Sequence, residues 1–226
     1  MIWDWEYALR ITPELVKHFF LYTLIITGLA SVVAAVLGLL LALILRSDFN
    51  RLARWVEFVL DFIRGTPLLV QLFFLFYVLP DYGIFLSPFA TGVLGLGLHY
   101  ACYYADVYRA GIAAVPRNQR EAAVALSLGA WTEWTRILLP QAIRKAAPSL
   151  ANYILIMFKE SPALALLTIP EVLQRALSLG SQSFRYMEPL TIAGLIFLCL
   201  SYPVAVILRR LEDRLTRNEI GGGSIA

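Results

Sequence analysis

Charge is scarce in this chain of 226 residues: 15% of the side chains are Asp, Glu, Lys or Arg, while 59% are hydrophobic. A soluble domain carries about 25% charge and about 45–50% apolar residues. The mean hydropathy of +0.70 therefore excludes an ordinary soluble core and a disordered chain. Cysteine is sparse as well. Cys102 and Cys199 both lie inside apolar runs, without partners at disulfide or metal spacing, so they read as small buried hydrophobes and exclude a disulfide scaffold. His18 and His99 stand apart from each other and from any acidic or thiol cluster. No phosphate-binding G-x-x-x-x-G-K-[ST] loop, H-E-x-x-H pair or nucleophile elbow occurs, so neither ATP binding by that route nor a catalytic constellation is encoded. A net charge of +3 is too small to argue for nucleic acid. What remains is a polytopic membrane protein.

Five segments approach the about 20 apolar residues that a spanning helix needs. They are 19–45, with Tyr22, Thr23, Thr27 and Ser31 as its polar breaks; about 56–79, with Glu57, Asp61, Arg64 and Gln71; about 89–111, with Asp106 and Arg109; about 150–169, interrupted by Lys159, Glu160, Ser161 and Pro162; and 190–208. The first is too long for a signal-peptide core and lacks a cleavage pattern, so it reads as retained. All five are too long and too apolar for barrel strands, which makes the expected fold all-α. Residues 1–18 form a short segment before the first span. Residues 211–226, with Gly221-Gly222-Gly223-Ser224, read as a flexible tail. No internal repeat is present.

Basic residues set the orientation. Arg46, Arg51 and Arg54, then Arg117, Arg120, Arg136, Arg144 and Lys145, then Arg209, Arg210, Arg214 and Arg217 share one side of a five-span topology. The other side has Arg10, Lys17, Arg175 and Arg185. The first side is expected to be cytoplasmic, with the N-terminus outside (periplasmic) and the C-terminus inside. The inner connection of about 112–149 is long enough to be functional. Helix formers at Arg120–Leu128, with Asn118 as a possible cap, are broken at Gly129. A second helical stretch, Ala130–Leu139, is expected to stop at Pro140. Trp131, Trp134 and Leu138 would face outward, either towards a docking partner or onto the lipid surface.

The residues Glu121-Ala122-Ala123, Gly129, Ile137 and Leu139-Pro140-Gln141-Ala142 resemble the "EAA" loop of permease subunits in ATP-binding-cassette importers. Four further stretches agree with that family: Arg64-Gly65-Thr66-Pro67-Leu68-Leu69-Val70-Gln71, Tyr108-Arg109-Ala110-Gly111, Lys159-Glu160-Ser161, and Phe184-Arg185-Tyr186. So does the final Arg209-Arg210-Leu211-Glu212. The resemblance spans about 15–215. It implies a type I importer permease domain over 19–210 in a bacterial inner membrane. It also implies an ATPase subunit docked on the loop through Glu121, Ala122, Ala123, Gly129, Leu139 and Pro140. A homologous permease partner, in a homo- or heterodimer, and an extracytoplasmic substrate-binding protein complete the implied assembly. ATP and Mg would belong to the ATPase, leaving this chain without a cofactor. Two departures stand out. The family's loop usually has glycine six residues after the Glu, where this chain has Ser127, and Glu160-Ser161-Pro162 replaces the commoner Asp-Thr-Ser. Leu98-His99-Tyr100 and Ser183–Leu190 look most like the ectoine/hydroxyectoine permeases within the polar amino-acid branch.

Physical reading adds candidate roles. Glu121 near the start of its helix suits the helix dipole and a basic partner. The two alanines keep the coupling surface low. Intramembrane charges face an interior or a pathway, so Gln71, Tyr103, Asp106, Arg109, Lys159 and Glu160 are candidates for the translocation path. Asp106–Arg109 and Asp61–Arg64 have the spacing of fold-holding pairs instead. Gly65-Thr66-Pro67 is expected to kink the second span, for gating or for packing. An ion-coupled secondary transporter stays open as a second class, and a membrane enzyme as a third, although no clustered polar site supports it.

Overall fold

The computed structural model describes residues 3–47 and 50–221, and among them all regular structure is helical. Helix α1 (Trp5–His18) runs through a π-helical turn at Phe19–Leu24 into α2 (Ile25–Arg46). The Asp4 carboxylate caps α1 by accepting the Tyr7 N–H at 3.1 Å, as a short acid before a helix should. Arg185 pairs with Asp4 at 3.1 Å and with Glu188 at 2.5 Å, tying this start to the last helix. Ala8, Ile11 and Leu15 recur at helical spacing and are buried with Val172, Ala176 and Ile192.

Inside a bilayer, close packing and internal hydrogen bonds hold helices together, because lipid is as apolar as leucine. Small residues carry the main contact here. Ala30, Ala34, Gly38 and Ala42 of α2 form a stripe four residues apart that packs along α5 (Pro88–Ala113). A Cβ on Gly38 would fall 2.5 Å from Tyr104 Cβ, and one on Gly97 2.6 Å from Val33 Cγ1. Glycine at these two places lets the backbones approach. Gly97 meets Val33 and Gly38 meets Tyr104, so α2 and α5 run parallel. Helix α8 (Leu139–Glu160) runs antiparallel to them: the Tyr104 hydroxyl donates to the Leu150 carbonyl at 3.2 Å, and Tyr100 reaches Glu160.

Among the described residues, three helical stretches are long and apolar enough to cross a membrane: Trp5–Arg46, Ala130–Leu167 and Met187–Arg210. Arg51–Arg64 with Leu68–Tyr82 forms a fourth, bent by 102°. Helix α5 is about 39 Å long at 1.5 Å per residue and is enclosed by its neighbours, so it tolerates histidine and tyrosines.

Several sequence expectations change in detail. The second span is divided into α3 (Asn50–Arg64) and α4 (Leu68–Phe73), with Gly65-Thr66-Pro67 at the break. In the connection that follows α5, α6 covers Arg117–Ala125 with Pro116 at its cap position. Asn118 is thus inside the first turn and is not the cap, and Glu121 is at mid-helix and not near its start. Pro140 does not stop a helix. It sits in the first turn of α8, after a short α7 (Ala130–Thr132) and a π turn at Glu133–Leu138 whose wider winding makes room for the ring. The fourth span therefore begins within the stretch read as loop. Its α-helical part ends at Glu160, and a 3-10 turn, Ser161–Leu167, carries the stretch to its end. Helices α9 (Val172–Ser183) and α10 (Met187–Gly221) complete the chain. Helix α10 thus occupies the first part of the segment read as a tail, and the tail from residue 222 lies outside the described residues.

Candidate functional site

The break between α3 and α4 organises the interior. Pro67 has no N–H, so the Ile63 carbonyl loses its ordinary helical donor. The Gln71 amide replaces it: Nε2 donates to the Ile63 carbonyl at 2.6 Å, to the Thr66 carbonyl at 3.1 Å and to Thr66 Oγ1 at 2.6 Å. With Nε2 committed to acceptors, Gln71 Oε1 faces His99 Nδ1 at 3.1 Å. That assigns the proton to His99 Nδ1.

From His99 a ring cluster leads across the bundle. His99 packs on Tyr103 at 5.4 Å between centroids, Tyr103 on Tyr100 at 5.8 Å and on Tyr153 of α8 at 5.4 Å. The Tyr100 hydroxyl donates to Glu160 Oε2 at 2.6 Å. Tyr153 also lines a cavity of about 550 Å³ between α5, α8 and α10, with Ser149, Asn152, Lys159 and Arg209 on its walls. Ser149, Asn152, Ile156 and Lys159 repeat at helical spacing, so one face of α8 is turned to this cavity. Aromatic faces beside a carboxylate suit a cationic group, and the cationic walls next to them suit a carboxylate.

Of the path candidates, the structure brings Gln71, Tyr103 and Glu160 into this cluster and Lys159 to the adjoining cavity. Asp106 and Arg109 go elsewhere. Arg64 forms ion pairs with Asp106 and, at 2.5 Å, with Asp61. Arg109 pairs with Asp106 at 3.6 Å and with Glu57 at 3.9 Å. Two of these bridges, Arg64–Asp106 and Arg109–Glu57, clamp α3 to α5, and the other two each lie within one helix. The sequence reading missed His99, Tyr100 and Tyr153. Its available signal was the three tyrosines at 100, 103 and 104 within an apolar span.

The connection at the other end forms a second surface. Helix α6 closes with the Ser127 N–H donating to the Val124 carbonyl and the Leu128 N–H to the Ala123 carbonyl, which is the Schellman pattern. Ser127 takes the left-handed conformation, φ 52°, that glycine supplies at low cost. The turn therefore persists without its usual glycine. Gly129 has φ −63°, and no atom lies within 4 Å of a Cβ placed there, so neither strain nor close approach demands glycine. Arg120 bridges to Glu133 at 3.0 Å, and the Arg46 guanidinium lies over the Trp134 ring at 4.6 Å. Glu121, Ala122, Val124, Leu126 and Trp131 are exposed, the last by 80%, while Ala123 is buried. Leu138, expected outside, is buried with Ile112, Val115 and Ala142. Leu139 is half-buried and Pro140 exposed.

A family model described as the binding-protein-dependent transport system inner membrane component matches residues 18–217. The chain belongs to this family. Among similar proteins, a probable amino-acid ABC transporter permease of Sinorhizobium fredii is 41% identical over 95% of this permease and 92% of its own length. An arginine transport system permease of Bacillus subtilis is 34% identical over 87% of this permease and 90% of itself. A crystal structure of an amino acid ABC transporter with histidines superposes with a TM-score of 0.86 at 30% identity, covering 95% of this permease and 100% of that chain. A methionine ABC transporter, at 16% identity and a TM-score of 0.72, shares the fold. The permease is all-helical with the type I importer fold, is embedded in a membrane, and is a transport subunit and not an enzyme.

Proposed function

We propose that this permease admits a polar amino acid or a related zwitterion to the cytoplasm of a bacterium, driven by ATP hydrolysed in a separate subunit. The observation that carries the reading is Tyr100–Glu160 inside a ring cluster next to the Lys159 cavity. Glu160 and the faces of Tyr100, Tyr103 and Tyr153 would hold the ammonium or amidinium end of the solute. Lys159 would take its carboxylate, with Arg209 further along the cavity. Relatives named for arginine, glutamine and cystine transport support the amino-acid class. Ectoine or hydroxyectoine, compact zwitterions of the same chemistry, are the finer proposal.

The exposed face of Glu121, Val124, Leu126 and Trp131 would receive the ATPase subunit at the cytoplasmic surface. ATP and Mg would be bound by that subunit, and no cofactor by the permease. A substrate-binding protein would deliver solute at the opposite, outer surface, where the N-terminus lies. A second permease, identical or homologous, would complete the path, and the break at Gly65-Thr66-Pro67 would bend as the path opens and closes.

Uptake by ATP-loaded proteoliposomes holding the whole assembly tests this. Labelled ectoine, hydroxyectoine, glutamine, glutamate, arginine and histidine are offered in turn, with Glu121→Lys as the uncoupled control. ATP-dependent uptake lost in the control supports the mechanism. Amino acids taken up without ectoine discard the finer proposal. No ATP-dependent uptake of any solute overturns the reading.

A further inference from the structure

We propose that Gln71 is a positioning residue, which through His99 and Tyr100 ties the bend of the second span to the placement of the Glu160 carboxylate. The inference rests on the reading of Glu160 as the group that holds the solute's cationic end, and adds to it a link between that group and a hinge.

The link starts at the break. The Gln71 amide donates to the Ile63 and Thr66 carbonyls and to Thr66 Oγ1. Thr66 Oγ1 in turn reaches back to the Phe62 and Ile63 carbonyls at 3.2 and 3.1 Å. One side chain of α4 thus ties down the end of α3 across the 102° bend. The other end of the same amide points to α5, where Gln71 Oε1 accepts from His99 Nδ1 at 3.1 Å. Close approach beside it holds this register: Leu72 is fully buried, and a Cβ on Gly95, one turn before His99, would fall 2.4 Å from Leu72 Cδ2.

His99 is 7% exposed, and its ring centroid lies 5.2 Å from that of Tyr100, whose hydroxyl holds Glu160. An amide is planar, so its nitrogen and oxygen turn together. Straightening the break carries the Ile63 and Thr66 acceptors away, turns the amide and withdraws its oxygen from His99. The imidazole then loses its anchor, and Tyr100 loses the wall that fixes its phenol on Glu160. Such coupling is reciprocal: a solute that favours the positioned carboxylate favours the bend. A path that loosens its grip as the break opens releases solute on the conformational step itself.

The test uses the permease in its assembled transporter. The infrared band of the Glu160 carboxylate, identified by its disappearance in Glu160→Gln, reports the Tyr100 hydrogen bond without solute. Tyr100→Phe calibrates the shift. Gln71→Leu and His99→Phe are expected to move the band in the same direction as Tyr100→Phe. His99→Phe leaves the bonds across the break in place and keeps a ring beside the tyrosines, so it cuts the link without disturbing the hinge. An unchanged band in His99→Phe overturns the proposal. Uptake kinetics with labelled arginine, glutamine and ectoine give a second readout. Each variant should raise KM about fivefold, and the double variant no more than either alone, as for two partners in one hydrogen bond. Effects that multiply in the double variant overturn the link, because each residue then acts separately. A shifted band with an unchanged KM in Glu160→Gln supports the link and discards the solute reading of Glu160.

Discussion

The Tyr100 hydroxyl donates to Glu160 Oε2 at 2.6 Å, joining the middle of α5 to the last turn of α8. Tyr100 is 2% exposed, whereas Glu160 is accessible. The buried phenol therefore positions a carboxylate that stays uncovered within this chain, as the proposed path requires. Hydrogen bonds to charged groups contribute about 1.5–3 kcal/mol. Glu160→Gln should raise the KM for uptake of a cationic or zwitterionic solute by roughly ten- to hundredfold, following that energy. Tyr100→Phe keeps the aromatic face and should show a smaller rise. Uptake kinetics check both, and an unchanged KM in Glu160→Gln removes the carboxylate from the path.

Ser127 offers a prediction of the opposite sign. It occupies the left-handed position of the turn after α6, φ 52°, where a β-carbon costs about 1–2 kcal/mol relative to glycine's freedom. Ser127→Gly should therefore raise the stability of the loop by about 1 kcal/mol, and Ser127→Val should lower it by more. Gly129→Ala should be neutral, since its backbone is extended and the space around it open. Hydrogen exchange of the Leu126 and Leu128 amides, both bonded back into α6, reads the local effect.

The order of the helices was legible because lipid permits so few solutions: long apolar runs become helices, and basic residues gather at their ends. The motif of the connection after α5 pointed to the family, which the match over residues 18–217 shows. What escaped depends on contacts distant in sequence. Pro67 announces a break, but the angle of 102° follows from Gln71 capturing the Ile63 carbonyl and from Leu60 packing on α5. The spacing of Asp106 and Arg109 showed that they can pair, but not that Arg64 and Glu57 would draw them to α3. Tyr153 became part of the site only when α8 came to lie beside α5. Leu138 looked like a surface residue because the sequence does not show α8 starting at the very next residue, with Ile112, Val115 and Ala142 closing on Leu138.

Asp106 and Glu160 are both acids in apolar spans, and their variants should separate cleanly. Asp106 lies in the clamp between α3 and α5, with both partners partly exposed. Asp106→Asn should cost about 1 kcal/mol, as for a partly exposed pair, or about 3 °C in unfolding temperature for a chain of this size. Its KM for solute should stay near the parent's. A KM shift in Asp106→Asn without loss of stability places Asp106 in the path instead of the clamp.

The last prediction concerns pH. Glu171 caps α9 by accepting the Gln174 N–H at 2.7 Å on Oε1, while Oε2 is buried without a hydrogen-bond partner. Burial pushes its carboxyl up to about 7, and the amide donors at the start of α9 only partly offset this. The folded state thus prefers the protonated acid. A group raised in the folded state contributes stability that is complete below its unfolded value, near 4.5, and that is lost as pH rises through about 7. Between pH 5 and pH 8 the permease should lose on the order of 3 kcal/mol through this residue. Glu171→Gln keeps an oxygen for the Gln174 N–H and carries no charge, so its unfolding temperature should be flatter over that range and higher than the parent's at pH 8. Parallel slopes for the two proteins would show that Glu171 is charged in the folded state throughout.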